Sequence, residues 1–193
     1  MSLRDDPRPL FRRSFEMAAS VIDGVAEDQW HLATPCSKFD VEQLTAHLVA
    51  GAARPGAVGR GEEISGELVA TEARPEGGFG PLFARNATAS LDAWSDDALL
   101  SKDFVLPWGS YPGSAIVLMY AMEAAVHAWD LAVATGQDAK LDDELAGSLH
   151  GPATEMVPAG FRGGEMPFEP VVTIEETARP ADQLAAYLGR RRP

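Results

Sequence analysis

Glu123 and His127 stand four residues apart in an almost unbroken apolar run, Ala115-Ile-Val-Leu-Met-Tyr-Ala-Met-Glu-Ala-Ala-Val-His-Ala-Trp-Asp-Leu-Ala-Val-Ala-Thr135. Helical spacing puts Ile116, Met119, Tyr120, Glu123, His127, Leu131 and Ala134 on one stripe. A carboxylate in such a stripe is costly to bury unless it is paired or binds a metal. Carboxylate oxygen and imidazole nitrogen both bind a divalent ion such as zinc, at about 2.0–2.2 Å, and two of them on one helix converge at a spacing of three or four. A third ligand must then come from a facing helix. Of the other histidines, His47 lies mid-helix in Leu44-Thr-Ala-His-Leu-Val49, whereas His31 and His150 fall in or near loops. His47, Glu123 and His127 together leave a coordination position open for water or substrate, as catalytic sites do. The same residues also fit a plain buried ion pair, or hydrogen bonds to Tyr120, Trp129 or water, so spacing leaves both readings standing.

The neighbours of this triad have two readings each. Asp130, three residues after His127, can orient an imidazole, or it can be an ordinary helix-surface residue or pair with Arg or Lys, and the structural reading is favoured. Cys36 can be a redox thiol or a ligand, but a lone cysteine reads first as inert packing. Arg54 lies two turns beyond His47 and can meet an anionic substrate group, although Pro55 beside it points to a frayed helix end. Trp108 and Tyr111 read as loop anchors rather than the rim of a pocket. There is no Gly-rich phosphate loop between strand and helix, no Gly-x-Ser-x-Gly elbow, no His-Glu-x-x-His and no paired-cysteine motif.

The elements that must position these residues are mostly helical. The pattern predicts a first helix from about Pro9 to Val25. A second starts at Asp40 with Gln43 in the reciprocal capping position and Phe39 stapled onto Leu44, and ends near Gly51 to Pro55. Residues 54–78 read as a long loop or a short helix between loops. A third helix is predicted over Phe79 to Trp94, and Asp103 to Gly113 as an extended or hairpin segment. Ser114 is the expected cap of the fourth and most apolar helix, which Gly136 closes. A fifth runs over Asp142 to Val157, residues 158–175 mix Gly, Pro and the β-branched Val171-Val-Thr-Ile174, and a short last helix spans Pro180 to Leu188. The sum is an all-α helical bundle, one domain over residues 1–193, with minor strand content.

Bulk properties narrow the partners. A net charge of −13 excludes nucleic acid and anionic membrane, which need positive surface. The Arg190-Arg191-Arg192 run is too short to reverse this and reads as a solvated tail. One cysteine allows no intrachain disulfide, and there is neither a leader nor a run of about eighteen apolar residues, so the expected location is cytoplasmic.

Thr34-Pro-Cys-Ser-Lys-Phe-Asp-Val-Glu-Gln-Leu-Thr-Ala-His-Leu48 resembles the loop and capped helix that carry a metal-binding histidine in DinB-like proteins. Glu123-Ala-Ala-Val-His-Ala-Trp-Asp-Leu-Ala132 is similar to the glutamate-histidine helix of the mycothiol-dependent maleylpyruvate isomerase amino-terminal domain. Leu188-Gly-Arg190 resembles the tail of a large group from mycothiol-using bacteria. The resemblance implies a DinB-like four-helix bundle, up-down-down-up, with extra short helices. It implies a divalent metal on His47, Glu123 and His127, zinc first with nickel as the alternative, and mycothiol as a thiol cosubstrate. The isomerase carries a second, carboxy-terminal domain for which this chain has no room, so thiol transfer to a small electrophilic substrate is expected rather than isomerisation. Metal-dependent hydrolysis and a non-catalytic bundle that binds a ligand or partner, with Glu123 and His127 as a buried polar pair, are the alternatives, and a homodimer is the expected assembly.

Overall fold

A computed structural model describes residues 6–65, 74–162 and 168–192. In chain order it contains α1 Arg8–Asp23, α2 Val41–Gly59, α3 Phe79–Ala93, the short α4 Ala98–Ser101, β1 Asp103–Leu106, β2 Gly109–Pro112, α5 Gly113–Thr135, α6 Asp143–Met156 and α7 Pro180–Tyr187. The predicted hairpin is an antiparallel pair, with Phe104 opposite Tyr111 and Val105 opposite Ser110.

Side-chain contacts fix the helix directions. Phe15 meets Phe83 edge-on at 5.7 Å, and Arg8 at the start of α1 reaches the Trp94 carbonyl just past the end of α3, so α1 and α3 are antiparallel. Asn86 donates to the Val49 carbonyl and Trp94 Nε1 to that of Pro55, so α2 and α3 run together. The Gln137 side chain, just beyond α5, reaches the Val21 carbonyl near the end of α1, which aligns those two. The bundle is therefore up-down-down-up, as the sequence resemblance implied. Its core is built where Phe11, Val21, Leu44, Phe83, Trp94, Ile116 and Leu131 meet, each at most 2% exposed, and each such side chain contributes about 1.5–3 kcal/mol when fully buried.

α5 is the central helix. It is long and apolar enough to cross a membrane, yet 83% of its apolar window is buried inside the bundle, so it is a core helix whose greasy surface is covered by its neighbours. Gly136 closes it in the left-handed conformation at φ +71°, which glycine adopts without a Cβ clash. Ser114 does not cap the other end. The chain enters α5 directly from β2 through an extended Pro112, with no side-chain cap bond.

α2 departs most from expectation, because it runs through Pro55 to Gly59. Proline removes one ladder donor and ordinarily ends or kinks a helix. Here α3 supplies substitutes. Ser90 Oγ accepts from the Gly56 amide at 2.9 Å and donates to the Ala52 carbonyl at 2.5 Å, while Trp94 holds the Pro55 carbonyl at 2.7 Å. Ser90→Ala is expected to lower stability by about 1–2 kcal/mol, read as a lower melting temperature. Val171 to Ile174 form no strand, since the segment has no neighbouring strand among the described residues. Part of the stretch read as a loop, residues 66–73, lies outside the described residues.

Candidate metal centre

The loop before α2 sets His47. Asp40 Oδ1 accepts from the Gln43 amide at 2.8 Å and Gln43 Oε1 from the Asp40 amide at 3.1 Å, the capping box read from the sequence. The Thr34 hydroxyl reaches the carbonyls of Cys36 and Phe39, which draws the loop into a tight turn. Phe39, expected to staple the helix, lays its ring on His47, with centroids 5.2 Å apart and planes 24° from parallel. The imidazole plane is thus held by stacking before any polar partner is counted.

α5 brings the other two residues opposite. His47 Nε2 lies 3.2 Å from Glu123 Oε1, and the His47 and His127 rings meet edge to face at 5.0 Å. Donor atoms of His47, Glu123 and His127 all fall within 4.8 Å of one another. The histidine side chains are 5% and 10% exposed, whereas Glu123 is 30% exposed and forms the open edge. Burial pushes the Glu123 carboxyl up, but the His47 hydrogen bond, reinforced by His127 and Arg54, holds it below the usual carboxylate range. Burial and the Glu123 charge push the neighbouring Tyr120 phenol well above its ordinary range, and its buried hydroxyl has no hydrogen-bond partner among the described residues.

Behind His127 stands Asp130, fully buried, with Oδ2 3.0 Å from His127 Nδ1. The carboxylate assigns the imidazole proton to Nδ1 and leaves Nε2 free to act as a ligand. Arg190 completes the row, its Nε 3.1 and 3.0 Å from the two Asp130 oxygens and its side chain 9% exposed. Asp130 is therefore both orienting residue and ion-pair partner, where the sequence favoured a structural role alone, and it is fully buried rather than a helix-surface residue. The expectation of a solvated arginine tail fails at Arg190, whereas Arg192 stays exposed while it pairs with Asp182 and Asp138 beside Trp129. The turn that aims Arg190 inward is specific. Gly189 takes φ +86°, its amide donates to the Ala186 carbonyl and that of Arg190 to the Ala185 carbonyl. A Cβ on Gly189 would come within 2.6 Å of the Glu169 carbonyl oxygen.

The donor set passes the chemical test for a divalent ion. Two imidazoles and a carboxylate form a common catalytic zinc set, and a carboxylate behind one imidazole is its usual support. Cys36, His127 and Asp130 also have donor atoms within 4.8 Å. That second group already holds the Arg190 cation, and burial pushes the Cys36 thiol up, so Cys36 is a small protonated packing residue there. Of the remaining candidates, His31 is exposed and His150 packs beside Tyr187, both away from the triad. Arg54 Nη2 donates to the Ser65 carbonyl at 2.7 Å, and its charge is felt at Glu123. Trp108 and Tyr111 are 42% and 36% exposed on the hairpin, so neither anchors it to the core. Sequence reasoning missed the Arg190 contact and the Phe39 stack. The only signal for the former was the Leu188-Gly-Arg190 tail.

A family model described as the mycothiol maleylpyruvate isomerase N-terminal domain matches residues 11–132. Two uncharacterised proteins of Mycobacterium tuberculosis, from strains CDC 1551 / Oshkosh and ATCC 25618 / H37Rv, are each 35% identical over 187 residues, which is 96% of this chain and 98% of theirs. A crystal structure of a point mutant of mycothiol-dependent maleylpyruvate isomerase is similar at TM-score 0.63 and 19% identity, covering 84% of this chain and 74% of that one. A second crystal structure of that isomerase gives TM-score 0.56 and 20% identity, covering 80% and 70%. At these identities the two structures establish the shared helical fold.

Proposed function

We propose, from the premise that this chain belongs to the mycothiol maleylpyruvate isomerase N-terminal domain family, that it is a cytoplasmic, divalent-metal-dependent thiol transferase. His47, Glu123 and His127 would hold the ion, zinc first and nickel as the alternative. The observation that carries this reading is the convergence of two imidazoles and one ionised carboxylate from facing helices, with donor atoms within 4.8 Å. A bound ion supplies one thing, a lowered pKa for a coordinated thiol, so that thiolate is available at neutral pH. The chain's own residues do the rest. Asp130 keeps the His127 proton on Nδ1, Arg190 neutralises Asp130 from behind, Phe39 fixes the His47 ring, and the apolar walls of α2 and α5 limit water.

The reaction class is joining of a small thiol, mycothiol in this family, to an electrophilic carbon. A carbon–sulfur bond forms, the thiol proton passes to solvent, and the leaving group departs with its electron pair. Hydrolysis fits less well. It needs a free carboxylate base beside the triad, and both oxygens of Asp130, the residue in reach, are engaged by Arg190 and His127.

Protein purified without chelator is expected to carry about one divalent ion per chain. It should consume an electrophile only when thiol is also present, and His47→Ala should lose both properties. Failure to take up zinc or nickel on reconstitution would end this reading. Thiol-independent turnover of esters would replace it with the hydrolytic one.

A further inference from the structure

Access to the triad is one-sided. His47 and His127 are nearly closed off, and Glu123 is the member that solvent reaches. The α2 residue facing that carboxylate is Gly51, one turn after His47 and half-buried. Among the described residues, a Cβ on Gly51 would have one neighbour within 4 Å outside its own helix, Glu123 Oε1 at 3.7 Å. A helical side chain leans towards the helix N-terminus and covers the preceding turn. Any larger group at this position would therefore lie over the open edge, between His47 and Glu123. Glycine is also the poorest helix former after proline, and residue 51 sits in the middle of a nineteen-residue helix. Arg54, three residues further along α2, adds positive charge beside the same carboxylate.

We propose that Gly51 is the aperture of the metal centre, and that its missing side chain sets the bulk of the thiol that can reach the triad. Gly51 is then a specificity-determining residue for slender primary thiols. The inference rests on the metal-and-thiol reading of the site.

Cobalt(II) replaces zinc as a visible probe. Cobalt-loaded wild-type protein, titrated with 2-mercaptoethanol, should develop a thiolate-to-cobalt charge-transfer band. Gly51→Ala, Gly51→Val and Gly51→Met form a graded series, in which Gly51→Ala has room for its Cβ and anchors the folded end. Cobalt affinity should stay within about twofold of wild type across the series, while thiol affinity falls stepwise, by about tenfold or more in Gly51→Met. Unchanged thiol affinity in Gly51→Val and Gly51→Met with cobalt retained overturns the aperture. Cobalt and thiol affinities falling together also overturn it, because the position is then one of packing. Wild-type protein that binds no cobalt, or cobalt-loaded protein that gives no band with thiol, sinks the underlying reading and the aperture with it.

Discussion

Replacing Arg190 by methionine is expected to destabilise the protein by about 3–5 kcal/mol, because it strands a buried carboxylate. Asp130 has no exposed surface, and its charged partners are Arg190 and, when protonated, His127. For a chain of this length the loss corresponds to a fall in melting temperature of about 10 °C, measurable by circular dichroism. The double variant Asp130→Leu/Arg190→Met should recover most of it, since removing both members of a buried pair in favour of apolar groups is often neutral. A different outcome is expected for metal affinity. With Asp130 gone, nothing holds the His127 proton on Nδ1, and removal of such a support costs about 10–100-fold in affinity. The double variant should thus be stable yet bind zinc poorly. If it binds zinc as tightly as wild type, Asp130 is structural only, and the orienting role is wrong.

Zinc itself is expected to stabilise the fold strongly. An ion that binds only the folded state contributes about 4 kcal/mol at a thousandfold excess over its dissociation constant, so chelation should lower the melting temperature by about 10 °C. His47→Ala, Glu123→Gln and His127→Ala should each abolish the zinc dependence, because each removes one of three converging donors. The reading of Glu123 as the partner in a simple buried ion pair predicts otherwise, with a melting temperature indifferent to zinc and apolar replacements that leave stability intact or improved. Glu123→Gln separates the two well, as it keeps the shape of the side chain and removes the charge. Equal melting temperatures with zinc and with chelator in wild-type protein would dismiss the metal centre.

Glu123 and His127 were legible because four residues along a helix is a local distance, fixed by backbone geometry alone. His47 was legible for a similar reason, since the Asp40–Gln43 capping box starts its helix and sets its place on it. Gly136 announced the end of α5 through its own freedom to take positive φ. Pro55 misled because the groups that compensate for it, Ser90 on α3 and Trp94 just past its end, lie more than thirty residues away. Ser114 misled because the helix begins one residue earlier, at Gly113 straight after β2, which leaves Ser114 inside the first turn and Pro112 at the cap position.

The sequence by itself determined the helical period, the capping box of α2, the Gly136 end of α5 and the pair of chemical groups on α5, all of which depend on neighbours within a turn or two. Only the tertiary structure decided that Asp130 orients His127 and is clamped by Arg190, sixty residues away. The packing of α2 against α5 likewise decided that Phe39 stacks on His47, and that Gly51 rather than a larger residue faces the open edge of Glu123. The physical reason is one of range. Periodicity and capping are satisfied within a segment, whereas a buried charge or an opening is defined by whatever another segment places against it.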